Sequence, residues 1–167
     1  SMEHEVSQDP LAWRRDVLAL NNDNTPHVNA LTLLTLDALI EQSALFQVMS
    51  SKDGELSGFI LLLREGQGYE SLNYRWFSEA LDEFLYVDRI VIAPGCRGQG
   101  VAQTLYHHAT ELAQATGIKN LTCEVNVQPP NPRSLAFHHA QGFEEMSQQM
   151  TDGGLKRVSL LRKIVDA

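Results

Sequence analysis

The sequence is short of several things, and each shortage removes a class of function. Of its 167 residues only Cys96 and Cys123 are cysteines, too few for a disulfide framework or a cysteine-built zinc site. Basic residues are also scarce. Thirteen Lys and Arg against 21 Asp and Glu leave a formal net charge of −8. A nucleic-acid surface needs clustered Lys and Arg to neutralise phosphates, so no nucleic-acid partner is expected. No apolar run approaches the roughly 20 residues of a membrane-spanning helix, and no signal-peptide pattern opens the sequence. The expectation is a cytoplasmic protein with no membrane partner. Repeats, low-complexity tracts and linkers are absent too, so residues 1–167 are expected to form one domain.

What is present reads as an ordinary globular chain with one odd turn. Asp9-Pro10 opens a helix whose apolar face carries Leu11, Val17, Leu18 and Leu20, and which ends in the polar run 21–26. A second helix is expected over 31–43. Residues 44–50 and 56–64 read as a hairpin turning at Asp53-Gly54. Residues 66–82 hold Tyr69, Tyr74, Trp76 and Phe77 without a clean period, which predicts a long loop with one helical turn at most. The strongest strand is 83–93, rich in aromatic and β-branched residues. Val101, Leu105, Ala109, Leu112 and Ala113 then fall at helical spacing, with Gly117 as the stop. A strand follows at 120–128. Asn131-Pro132 opens a short helix ending at Gly142, and strands near 143–150 and 155–165 close the sequence. The order implies a mixed α/β fold, with a largely antiparallel sheet of six to seven strands and one βαβ crossover.

The odd turn is Pro94-Gly95-Cys96-Arg97-Gly98-Gln99-Gly100-Val101-Ala102, between the strongest strand and the following helix. Clustered glycines imply positive φ angles or a ligand pressed against the backbone. Strand, glycine turn and helix together make an anion site, because unpaired amides point out of the helix N-terminus. A Walker loop fails here, since Val101 and Ala102 stand where Lys and a hydroxyl are required. A dinucleotide fingerprint fails too, since Gln103 stands where the third small residue belongs.

Arg97-Gly98-Gln99-Gly100-Val101-Ala102 instead resembles the Q/R-x-x-G-x-G/A signature of the GCN5-related N-acetyltransferases (GNAT). Downstream, residues 131–143 resemble that family's N-x-x-A-x-x-x-Y-x-x-x-G-F signature, and the likeness runs in order over nearly the whole sequence. Residues 123–138 also resemble a bacterial subgroup of acetyltransferases. The resemblance implies the GNAT fold and acetyl transfer from acetyl-coenzyme A to an amine by direct attack in a ternary complex. It implies that amides of 97–102 cradle the pyrophosphate and that Ile90, Val91 and Ile92 line the pantetheine arm. Asn126, Asn131, Ser134 and Phe137 are the further cofactor-binding candidates.

Transfer needs a proton acceptor, an oxyanion site and a donor for the thiolate. Asp88 lies on the strand face of Tyr86, Ile90 and Ile92, a lone carboxylate on an apolar stripe, and is the candidate base. Glu83 and Glu124 are alternatives, and Arg89 on the other face reads as partner to a helix carboxylate. His138 stands where many relatives carry Tyr, and is the candidate acid or a wall of the cleft. By the same resemblance Asn24, Tyr74, Trp76 and Phe77 wall the acceptor site, although the aromatic three equally suit a core. Aromatics with Asn and acidic groups suit a small cationic amine. Alternatives are a protein N-terminus or lysine as acceptor, or a non-catalytic acyl-coenzyme A module. His107-His108 and His138-His139 raise a metal reading, but adjacent helical residues diverge by about 100° and no metal is expected. Acyl length and assembly, a homodimer included, stay open.

Overall fold

The structure is a computed structural model and describes residues 3–166. It holds seven strands, β1 (His4–Val6), β2 (Leu45–Ser51), β3 (Leu56–Arg64), β4 (Leu85–Ile92), β5 (Asn120–Gln128), β6 (Glu144–Thr151) and β7 (Lys156–Ile164). Five α-helices accompany them, α1 (Arg14–Asp23), α2 (Leu33–Gln42), α3 (Leu72–Ala80), α4 (Val101–Thr116) and α5 (Pro132–Ala140). The strands form one sheet in the order β1-β2-β3-β4-β5-β7-β6. β4 and β5 run parallel, while β1–β2, β2–β3, β5–β7 and β6–β7 are antiparallel. The mixed α/β expectation holds.

Contacts divide the chain into two compact units, one of Ser1–Leu63 with Val87–Glu111 and one of Arg64–Tyr86 with Leu112–Ala167. In the first, Gly54 (φ +83°) turns β2 back into β3 at the expected place. Alternation is lost in β3 because every residue from Ser57 to Leu63 is buried. Val17, Leu36, Val48, Phe59 and Val91 form the centre of this unit's core, with Trp13, Leu31 and Phe46 packed around them. Thr32 caps α2 reciprocally with Thr35, which satisfies amides that the first turn leaves without partners. Gly58 allows β3 and β4 to lie close, since a Cβ there would sit 2.8 Å from the Val91 carbonyl.

The second unit corrects one expectation. Residues 72–80 are a regular helix, not a loop. Ser71 caps it by accepting from the Tyr74 N–H, and only Tyr74 and Phe77 of its nine residues are buried. Two buried positions make too narrow a stripe for periodicity to reveal. These rings meet Phe84 and Tyr86 edge-on or tilted, with centroids 5.6–6.3 Å apart. The Tyr74 hydroxyl donates to the Arg64 carbonyl at 2.6 Å and accepts from the Gln67 N–H at 3.0 Å. β1, three residues long, is too short for the sequence pattern to signal.

Candidate active site

β4 feeds directly into the glycine turn. The Ala93 N–H donates to the Ser57 carbonyl at 2.8 Å, a single 3-10 turn spans Pro94–Cys96, and α4 starts at Val101. Gly98 (φ +74°) and Gly100 (φ +80°) occupy the left-handed region that side chains disfavour. The Thr104 N–H closes on the Gly100 carbonyl at 3.0 Å. Amides ahead of it therefore lack intrahelical acceptors, at the positive end of a 16-residue helix. Arg97 to Gly100 are exposed. A Cβ at Gly98 would meet nothing within 4 Å, and one at Gly100 only Gln103 Oε1 at 4.0 Å. The turn thus offers amides and open space to an anion. Val101, 2% exposed, pins the helix start to the core, and Ala102 follows it half-buried.

The same unit holds Ile90, Val91 and Ile92. Val91 points into the core, whereas Ile90 and Ile92 are half-buried on the face they share with Asp88. Asp88 is not a lone carboxylate. Its Oδ2 accepts from Arg89 Nε at 2.7 Å, and the two side chains are only 4% and 5% exposed. Arg89 Nη1 also donates to Asn21 Oδ1 at 2.9 Å and to the Asn29 carbonyl at 3.1 Å. Asn21, fully buried, donates in turn to the Asn29 carbonyl at 3.0 Å. The expected helix carboxylate is replaced by a helix amide, and Arg89 ties β4 to α1 and the segment after it. Asn24 ends α1 in this region, half-buried, its carbonyl accepting from the Val28 N–H.

The second unit holds the remaining candidates. β5 bulges between Asn126 and Gln128, and the Asn131 N–H returns to the Asn126 carbonyl at 3.2 Å. Asn126 is 8% exposed, and its Nδ2 is a buried donor without a partner among the described residues. Such donors are rare in folded proteins and mark a place for an acceptor. Asn131 precedes α5, yet its side chain makes no cap bond, so capping does not account for it. Both observations fit a ligand rich in carbonyl and phosphate oxygens. Ser134 and Phe137 lie on α5, half-buried.

His138 is buried on α5, with Nδ1 2.7 Å from the Ser134 carbonyl. A carbonyl only accepts, so Nδ1 carries the proton and the neutral ring presents Nε2 as an acceptor. Burial pushes the His138 pKa below 6.5, outweighing the Ser134 hydrogen bond that raises it, and the neighbouring His139 lowers it further. The ring packs edge-on against Phe137 and Phe143. A neutral imidazole with its N–H spent on a carbonyl is poorly suited to giving a proton to sulfur.

Glu124, an alternative base from the sequence, has a partner in Tyr86 that the sequence does not signal. The Tyr86 hydroxyl donates to Glu124 Oε1 at 2.5 Å, joining β4 to β5. Alternation along each strand gives no sign of which cross-strand groups meet; only the parallel register, Tyr86↔Thr122, brings them near. Of the expected acceptor wall, Tyr74 (2% exposed) and Phe77 (fully buried) belong to the core. Trp76 is half-buried, stacked edge-on against Phe77 at 5.3 Å. Both cysteines are buried.

The profile of the acetyltransferase (GNAT) family matches residues 13–143. No curated protein matches the sequence. Among solved structures, the ribosomal-protein-S18-alanine N-acetyltransferase from Escherichia coli superposes with a TM-score of 0.73 at 14% identity, covering 99% of this chain and 96% of that one. YncA from Salmonella typhimurium, solved with its cofactor acetyl-CoA, gives 0.67 at 16% identity, with 100% and 95% covered. Nourseothricin acetyltransferase gives 0.58 at 24% identity, over 72% of this chain and 65% of that one. At these identities the likenesses establish the fold and leave the acceptor undecided.

Proposed function

The chain belongs to the GNAT acetyltransferase family, and on that premise we propose that it moves acetyl from acetyl-coenzyme A to the amine of a small molecule. The observation that carries the cofactor half is the turn: two left-handed glycines and unpaired amides at the head of α4. In this proposal amides of 97–102 bind the pyrophosphate and main-chain groups of Ile90–Ile92 bind the pantetheine arm. In the second unit, Asn126 Nδ2 and the Asn131 side chain are assigned to an oxygen-rich ligand group. Bound acetyl-coenzyme A supplies the activated acyl group.

For the attacking amine we assign proton acceptance to Glu124, in place of Asp88. Asp88 is committed to Arg89 in an ion pair with both side chains nearly excluded from water, and that pair serves to fix the segment after α1. Glu124 accepts a hydrogen bond from a phenol, which orients the carboxylate without cancelling its charge. A carboxylate beside a tyrosine also suits a cationic amine before deprotonation. His138 is assigned a packing role, and the departing thiolate takes its proton from water. A small acceptor is favoured because residues 72–80 form a capped helix packed on an aromatic cluster, a fixed wall in place of a yielding loop.

The test is thiol release from acetyl-coenzyme A across a panel of small amines, amino acids and short peptides. Turnover on a small amine is expected. Turnover on peptide N-termini or lysines alone would overturn the acceptor assignment, and coenzyme A binding without any turnover would point to a non-catalytic module.

A further inference from the structure

We propose that His4, on the first strand, is a positioning residue that holds the glycine turn in its binding geometry through Gln99. The proposal rests on reading 97–102 as the coenzyme A turn. His4 and Gln99 lie 95 residues apart, yet His4 Nε2 is 2.6 Å from Gln99 Oε1. The other ring nitrogen, Nδ1, is 2.7 Å from Ser57 Oγ. Gln99 Nε2 donates to the Gly95 carbonyl at 3.1 Å, which leaves its oxygen as the end facing His4. An amide oxygen only accepts, so His4 donates from Nε2, while the Ser57 hydroxyl, which can give or take a hydrogen, meets Nδ1. Every polar atom in this chain of contacts has a role that matches its neighbour.

The turn needs such a tie. Gln99 is flanked by Gly98 and Gly100, both at positive φ, and glycine backbone loses the most conformational entropy when it is fixed. Gln99 is the sole residue between them with a side chain by which the turn can be held. Its amide group is gripped at both ends, by Gly95 and by His4. His4 is itself fixed by strand pairing, in register with Ser51, and by Ser57, which is fully buried in β3. Ser57 also accepts the Ala93 N–H on its carbonyl at 2.8 Å. One β3 residue thus anchors the entrance of the turn through its backbone and the tip through His4. Ordering the turn in advance spares a ligand the entropy of ordering it on binding.

The experiment uses the full chain, with calorimetric titration of coenzyme A and steady-state kinetics. His4→Ala and Gln99→Ala should each weaken coenzyme A binding by about tenfold, the scale of one hydrogen bond with its positioning effect. The double variant should bind no more weakly than either single one, because the two side chains act as a unit. His4→Gln, whose amide N–H reaches towards the Nε2 position, should recover part of the loss. In His4→Ala, turnover at saturating acetyl-coenzyme A should be retained, and use of S-acetylpantetheine, which has no pyrophosphate, should be unaffected. Wild-type affinity in His4→Ala, additive losses, or an equal loss with S-acetylpantetheine would each overturn the proposal. Gln99→Ala, at an exposed position, tests the same bond should His4→Ala fail to fold. Absence of coenzyme A binding by the wild-type chain would overturn the reading of the turn itself, a different result from wild-type binding that His4→Ala leaves unchanged.

Discussion

Tyr86 donates its phenolic hydrogen to Glu124 Oε1 across 2.5 Å, linking side chains 38 residues apart on two parallel strands. If Glu124 accepts the amine proton, Glu124→Gln should lower kcat by roughly 100-fold or more while coenzyme A affinity is kept. Tyr86→Phe, which removes only the orienting bond, should cost less. Stopped-time assays with saturating acetyl-coenzyme A measure both. Unchanged turnover in Glu124→Gln would remove Glu124 from the mechanism.

Asp88 is expected to behave differently. Asp88→Asn removes the carboxylate charge that pairs with the Arg89 guanidinium, itself 5% exposed. Breaking a buried pair from one side costs about 3 kcal/mol or more, so the variant should melt well below the wild type. Its kcat, measured below the melting range, should fall far less than that of Glu124→Gln. A folded Asp88→Asn that loses roughly 100-fold in kcat would transfer the base role to Asp88.

Burial lowers the folded-state pKa of His138 below 6.5, the value of an exposed histidine. The unfolded chain therefore binds more protons as the pH falls below that value. Stability from this group is present in full above about pH 6.5 and is lost as the pH drops through the depressed folded value. Denaturant melts between pH 7 and pH 5 should show this decline, and His138→Leu should flatten it. A slope that survives in His138→Leu belongs to another group.

Tyr74 separates core from acceptor wall. Tyr74→Phe leaves the Arg64 carbonyl and the Gln67 N–H without the hydroxyl, at a cost of about 1–2 kcal/mol. The KM for the amine should not change, because the ring is 2% exposed. A raised acceptor KM with unchanged stability would put Tyr74 in the acceptor site.

Local chemistry made much of this legible in the sequence. Asp53-Gly54 marked a turn because Gly54 takes a positive φ, and the turn 97–102 was readable because its glycines and the following apolar period sit in one stretch. α3 escaped because a short helix burying two rings has no stripe, and its cap, Ser71 to Tyr74, is a single bond. The tie between Arg89 and Asn21 spans 68 residues, and that between His4 and Gln99 spans 95. Such partners are chosen by strand order and packing, which no window of sequence contains. His138 is the intermediate case. Its partner, the Ser134 carbonyl, lies one helical turn back, so the spacing carried the signal, but only burial decided the tautomer's consequence.

The most direct measurement is titration of coenzyme A into the wild-type chain and into Gly100→Asp. Asp tolerates the left-handed backbone better than most residues, and its Cβ would come no nearer than 4.0 Å to Gln103 Oε1, so the variant should fold. Its carboxylate would then stand where a phosphate must bind, facing amides that it would itself occupy. Binding by the wild type with loss of more than about tenfold in a folded Gly100→Asp is the predicted result. Equal affinity in the two proteins, with the variant's fold confirmed by its melting curve, would contradict the placement of the cofactor at 97–102.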